Sequence, residues 1–172
     1  LALSLPSITT SAVTQIRDTS AIAGGNVTSD GGMSVTERGV VYSTSSNPTT
    51  SNSKVTSGSG TGSFTCSLTN LQEGTTYYVR AYAVNEKGTS YGEQKSFTTK
   101  VYTLPTVTTS SATNISNTSA TVGGNVTADG GMSVTERGVV YSTNPNPVIT
   151  NLSNTIRPCG SGTGEFTYNI TD

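Results

Sequence analysis

The chain has 172 residues, of which 58 are Ser or Thr and 19 are Gly; 11% are charged, the formal net charge is −1, and histidine and tryptophan are absent. Without histidine there is no Ser-His-Asp or Cys-His catalysis, and the usual imidazole ligands of zinc, copper and non-haem iron are missing. Nine basic against ten acidic residues leave no electrostatic footprint for nucleic acid or an anionic membrane surface, and no run of about 18 apolar residues is present to form a spanning helix.

The hydrophobic content of 31% is low, but the chain is nearly neutral and rich in threonine. Disordered chains are usually strongly charged and poor in β-branched residues, whereas Thr, Val and Tyr suit a pleated, half-solvated surface. The expectation is an all-β protein. Turn signals recur about every 8–12 residues, the spacing of a sandwich or barrel, and no long segment has a helical period.

In chain order, strands are expected over 7–14, 20–28 and 35–43, near 52–56 as a short irregular piece, and over 62–68, 76–85 and 93–98, seven in the first hundred residues. In 20–28 the parity of Ile22, Gly24 and Asn26 suits a core poorly, so Ala21, Ala23 and Val27 are assigned inward, with Gly25 marking a bulge. Asp30-Gly31-Gly32 supplies the positive-φ residues of a tight connection, and Asn47-Pro48 opens another turn. Val40 and Tyr42 are core candidates in the third strand. Phe64, Cys66 and Leu68 alternate with Ser63, Thr65 and Ser67 as a half-buried strand should. In 76–85 the parity Tyr77, Val79, Ala81, Ala83 points inward and leaves Tyr78, Arg80 and Tyr82 outside. Glu37 and Arg80 are expected to pair across neighbouring strands.

At Leu104-Pro105 the sequence starts again. Leu5-Pro6 recurs there at an offset of 99, 32 of 44 positions from 5–48 are identical in 104–147, and GGMSVTERGVVYST of 31–44 recurs unchanged at 130–143. After Pro147 three extra residues shift the offset to 102, so that Gly60-Thr61-Gly62-Ser63-Phe64 corresponds to Gly162-Thr163-Gly164-Glu165-Phe166. Such similarity implies one fold twice. The expected domains are 1–102, complete, and 103–172, lacking its last two strands in this chain. Residues 1–4 align with the inter-repeat connection 100–103, so a window on a longer tandem array is expected. The second repeat is then completed by residues outside this sequence, the favoured reading, or by a strand from a partner.

The segment Leu71-Gln-Glu-Gly-Thr-Thr-Tyr77-Tyr-Val-Arg-Ala-Tyr-Ala-Val-Asn85, with the closing Ser96-Phe-Thr-Thr99, resembles the fibronectin type III domain. That family carries Thr-x-Tyr-x-Val-x-Val-x-Ala-x-Asn after a Leu and a turn. The resemblance covers the first repeat and the second up to its fifth strand, and the tryptophan usual in the early strands is missing. It implies tandem immunoglobulin-like sandwiches in which Tyr77 is the corner tyrosine, its ring in the core and its hydroxyl bonded back to backbone near Leu71. Gly24-Gly25-Asn26-Val27-Thr28 and Arg38-Gly39-Val40-Val41-Tyr42-Ser43-Thr44 also resemble the Thr/Ser-rich repeats of large secreted surface proteins in Bacteroidetes-type bacteria.

Several local motifs have two readings. Gly58-Ser-Gly-Thr-Gly-Ser-Phe64 has the look of a phosphate loop, but it feeds a strand and no helix or lysine follows, which favours a flexible strand connection. Cys66 reads as a small buried hydrophobe, and a disulfide between Cys66 and Cys159 is disfavoured by their unrelated places in the repeat. Tyr78 and Tyr82, on one outer strand face, are the candidate surface contacts for a sugar ring or a partner, cross-strand packing being the alternative. Tyr77 and Leu71 are assigned structural roles.

The chain is thus expected to be a non-catalytic structural and adhesive repeat module of a long secreted or cell-surface protein, forming an extended stalk or filament. The alternatives are spacer modules of an extracellular carbohydrate-active enzyme, or strand-donating units of a polymer. No catalytic residue, cofactor or metal is expected. The expected partners are neighbouring repeats, other copies of the protein or a surface glycan, with no nucleic acid and no membrane insertion.

Overall fold

A computed structural model describes residues 2–151 and 153–171; Leu1 and Asp172, the outer limits of the two expected domains, lie outside the described residues. The chain divides into two units between Val101 and Tyr102. Every element among the described residues is a strand, and every pairing is antiparallel.

In the first unit, β1 (Ser7–Thr10), β2 (Ala21–Ser29) and β5 (Gly62–Leu68) form one sheet in the order β1-β2-β5. The second sheet runs β4 (Ser53–Thr56), β3 (Glu37–Ser43), β6 (Thr76–Asn85) and β7 (Gly88–Tyr91), with β8 (Lys95–Thr98) also on β6. Ala21, Ala23, Val27, Phe64, Cys66 and Leu68 of the first sheet meet Val40, Tyr77, Val79, Ala81 and Ala83 of the second in one core. The reason is the alternation of strand side chains: one parity of each strand is apolar and is buried against the facing sheet. The result is an immunoglobulin-like β-sandwich.

Three local expectations are corrected. The first unit has eight strands rather than seven, because β7 and β8 are two halves of one edge interrupted at Gly92-Glu93-Gln94. At that break the Ala81 N–H donates to Thr10 Oγ1 at 3.0 Å and the Gly92 N–H donates to the Ala81 carbonyl at 2.9 Å, so a buried backbone group stays satisfied. The first strand ends at Thr10 instead of residue 14; the chain leaves the ladder there, returns for a single bridge Thr14↔Ile22, and turns at Gln15 with φ 47°.

Gly25 is not a bulge. It pairs regularly with Thr10 and Phe64, and the irregularity of the β1–β2 ladder lies between Ser7 and Ile8. Gly25 is required for space: a Cβ there would collide with the Ala81 side chain and sit 2.5 Å from the Thr9 carbonyl oxygen.

The second unit repeats the early half of the first. β9 (Thr106–Thr109), β10 (Ser119–Ala128) and β13 (Gly164–Thr171) pair in the order β13-β10-β9, and β11 (Gly138–Tyr141) pairs with β12 (Thr155–Pro158). The register is conserved in detail: Gly25↔Phe64 recurs as Gly124↔Phe166, and Gly39↔Thr56 recurs as Gly138↔Pro158. Among the described residues no strand corresponds to β6, β7 or β8.

Candidate contact face and the arginine-pinned loop

The outer face of the β4-β3-β6-β7 sheet was expected to display Tyr78, Arg80 and Tyr82. Only part of it is open. Tyr82 is fully buried, a correction to its expected place on the surface, whereas Tyr78 is half-buried opposite Ser43 and Ser96. Burial of Tyr82 follows from its neighbours on that face. Gly39 lies directly opposite, where an added Cβ would stand 3.0 Å from the tyrosine ring, and Lys54 Nζ sits 5.8 Å from the ring centroid. Val41, of the same parity as Gly39, is also fully buried, so both faces of this sheet are covered at its centre.

Polar groups close the face. The Tyr82 hydroxyl donates to Glu37 Oε1 at 2.7 Å, and Lys54 Nζ bonds the same oxygen at 2.9 Å. Glu37 therefore does not pair with Arg80 as expected: Glu37 stands opposite Val84, Arg80 opposite Val41. Arg80 instead stacks its guanidinium 4.7 Å from the Tyr91 ring centroid and donates from Nε to the Gly92 carbonyl at 3.0 Å. Tyr91 belongs to the strand that sequence patterning missed, and its hydroxyl oxygen accepts from the Thr50 N–H at 3.0 Å. The only sequence signal for it was an aromatic residue immediately before Gly92.

Lys54, and secondarily the Tyr82 hydroxyl, hold the Glu37 carboxyl below its ordinary value of 4.5. Burial, reinforced by the Glu37 carboxylate, pushes the Tyr82 phenol far above its ordinary 10.0. The unfolded chain thus releases the Tyr82 proton near pH 10 while the fold retains it. Stability from this group is present below pH 10 and declines as pH rises beyond it; the Glu37 contribution is present above pH 4.5 and declines as pH falls below it. Urea unfolding of the first unit between pH 8 and about 11 is expected to show that alkaline decline, and Tyr82→Phe to lessen it, with the raised Cys66 thiol leaving a remainder of the same sign.

Tyr77 has its ring stacked on Phe97 at a centroid distance of 5.7 Å and edge-on to Tyr42 at 6.2 Å. Its hydroxyl oxygen accepts from the Gln72 N–H at 3.0 Å, next to the buried Leu71, whose own N–H donates to the Thr19 carbonyl.

The glycine-rich loop joins β4 to β5, the strand connection that was the favoured reading, and an arginine that patterning did not single out holds it. Gly58, Gly60 and Gly62 take φ of 73°, 78° and 96°, a left-handed sequence that turns loop carbonyls to one side. Arg38 fills the space they face. Its Nη1 donates to the carbonyls of Gly60, Thr61 and Gly62 at 3.3, 2.6 and 3.2 Å, its Nε donates to Ser57 at 3.2 Å, and its Cζ lies 5.2 Å from the Phe64 ring centroid. A phosphate needs converging N–H groups. Here the converging groups are carbonyls and already hold a cation, so the phosphate reading falls; the loop is also anchored rather than a free connection. Arg137 reproduces the arrangement with Gly162, Thr163 and Gly164 at 3.4, 2.7 and 3.1 Å, over Phe166.

Both cysteines are free thiols. Cys66 is buried, with its Sγ 3.6 Å from the Val55 carbonyl, and burial raises its pKa; Cys159 is half-buried. Among the described residues no group of three or more His, Cys, Asp or Glu side chains converges to hold a metal ion, and no helix is long and apolar enough to cross a membrane. A depression of about 300 Å³ in the second unit is open to solvent and lined by short side chains, including Asn114, Thr121 and Asn169.

No family model and no curated protein matches the chain. Solved structures that resemble part of it include the sensor domain of the anti-sigma factor RsgI4 from Pseudobacteroides cellulosolvens, at 21% identity and a TM-score of 0.43 over 56% of this chain and 96% of that one. A fibronectin type III domain of the human KIAA0970 protein is 14% identical, with a TM-score of 0.39 over 54% of this chain and 72% of that one. The third fibronectin III domain of the human KIAA0343 protein is 20% identical, with a TM-score of 0.39 over 59% and 89%.

Proposed function

We propose that the chain is a non-catalytic structural and adhesive module of a long, repetitive secreted or cell-surface protein, in which successive sandwiches form an extended stalk. The observation that carries this reading is the internal repeat: 32 of 44 aligned positions are identical, and the strand pairings of both copies share one register. A surface of Ser and Thr, a net charge of −1 and the lack of histidine favour a spacer or binding module over an enzyme. Pro6 and Pro105 at the two repeat entrances fix φ and bias the preceding leucines toward extended backbone, which limits bending where one repeat hands over to the next. The half-buried Tyr78 remains the candidate contact residue for a glycan or a protein partner. Small-angle scattering of the protein tests the stalk: a radius of gyration well above about 16 Å is expected, whereas a value near about 16 Å, that of a compact globule of this length, would overturn it.

A further inference from the structure

Register places Lys54, Val41 and Arg80 in one row across β4, β3 and β6 on the outer face of the first unit. Val41 is 0% exposed and forms the floor between its two basic neighbours. The two cations differ in what they meet. Lys54 Nζ donates to Glu37 Oε1 at 2.9 Å, whereas Arg80 meets no carboxylate among the described residues. Its Nε donates to the Gly92 carbonyl at 3.0 Å, and neither Nη has an acceptor among those residues. Glu93 follows Gly92 but is turned elsewhere: its Oε2 accepts from the Thr10 N–H at 3.3 Å and its Oε1 lies 3.3 Å from Lys95 Nζ.

The Arg80 guanidinium is fixed even so. Its Cζ lies 4.7 Å from the Tyr91 ring centroid, and that ring is held at its hydroxyl by the Thr50 N–H at 3.0 Å and Thr50 Oγ1 at 3.1 Å. The carbonyl that anchors Nε is fixed as well: the Gly92 N–H donates to the Ala81 carbonyl at 2.9 Å, and a Cβ at Gly92 would collide with Thr10. The arrangement leaves the Nη1–Nη2 edge, the one that receives a carboxylate bidentately, oriented and unneutralised. Tyr78 has the parity of Arg80 and stands two residues away on β6, about 7 Å along the strand. It is half-buried, and its cross-strand neighbours Ser43 and Ser96 are short hydroxyl side chains.

We infer that Tyr78 and Arg80 form a subsite for an acidic sugar, a uronic acid unit of a polysaccharide. The C–H face of the pyranose stacks on the Tyr78 ring, and the carboxylate at the edge of that pyranose accepts two hydrogen bonds from Arg80. Charge complementarity selects the acid, because the nearby carboxylates of Glu37 and Glu93 are both engaged by lysines and the arginine is the one left without an anion. An acidic peptide is the poorer occupant: it satisfies the guanidinium but must order a flexible stem to do so, whereas the sugar holds its carboxylate rigidly beside the face that stacks. The inference rests on the reading of Tyr78 as a contact residue and names the ligand class of that contact.

The probe is trigalacturonate, titrated into the 172-residue protein and followed by amide chemical-shift mapping. Saturable binding is expected, with shifts centred on Tyr78, Arg80 and Tyr91. Arg80→Gln and Tyr78→Ser are each expected to weaken it at least about tenfold. Arg80→Lys, which keeps the charge and the stem should Arg80→Gln unfold, is expected to weaken it at least about threefold through loss of the bidentate fork. The inference is overturned by no saturable shift at about 10 mM trigalacturonate, by equal binding of neutral galactotriose or of triglutamate, or by binding that the folded variants leave unchanged. Tyr78-dependent binding of galactotriose without trigalacturonate would overturn the acidic-sugar inference and leave Tyr78 standing as a glycan contact.

Discussion

Replacing Leu68 by Ala is expected to destabilise the first unit by about 2–5 kcal/mol. Leu68 is 0% exposed at the end of β5, opposite Ala21, where the two sheets close on each other. Truncation removes its transfer energy and leaves a cavity that a β-sandwich, pinned by ladders on both sides, closes only in part. The matching residue of the second unit, Ile170, is half-buried, and among the described residues no counterpart of β6 covers it, so Ile170→Ala is expected to cost only about 1 kcal/mol. Equilibrium urea unfolding of the two variants gives both numbers. Equal losses would show that the second unit is as well covered as the first, contrary to the burial described above.

The second large effect is expected at Arg38. Arg38→Met keeps much of the aliphatic stem but leaves the carbonyls of Ser57, Gly60, Thr61 and Gly62 without their shared donor and removes the cation from the Phe64 face. Charge-assisted bonds to a half-buried guanidinium support an expected loss of about 2–3 kcal/mol in the first unit. Faster amide exchange should appear in the Gly58 to Gly62 loop. Arg38→Lys is expected to recover less than half of the stability, because a single ammonium cannot span Ser57 and Thr61 in the way the planar fork does. An Arg38→Met protein with unchanged unfolding and unchanged loop exchange would reduce the arginine to a surface side chain. Arg137, whose Nε is buried without a partner, should give a smaller loss.

The strand inventory was legible where alternation was strong. Residues 62–68 and 76–85 were read with the bounds they have, because Phe64-Cys66-Leu68 and Tyr77-Val79-Ala81-Ala83 carry a clear period of two in apolar character. β7 was not legible: Gly88-Thr89-Ser90-Tyr91 holds a single large residue, and its strand character comes from pairing with β6. The contact face was misread for a related reason. Parity placed Tyr82 on the outer side correctly, but parity says nothing about what lies across the sheet, and Gly39 and Lys54 make room for the ring and cover it. The same limit explains Glu37: Lys54 on β4 and Arg80 on β6 flank β3 from opposite sides, and parity alone does not choose between them. Arg38 was passed over because its partners are backbone carbonyls, which no pattern of residue types announces.

What the sequence determined by itself was the all-β class and the recurrence of one set of residues in two like units, since identical residues at fixed offsets favour the same local pairing wherever that pairing falls. What the tertiary structure alone decided is visible in the identical stretches 31–44 and 130–143. The first forms a seven-residue strand with two valines shut off from solvent; the second forms a four-residue strand with those valines half-open. Strand length and burial depend on the partner across the ladder, through hydrogen bonds and contacts supplied by β6 from far along the chain. A residue's own neighbours in sequence set which way it points, and only its neighbours in space determine whether it is covered.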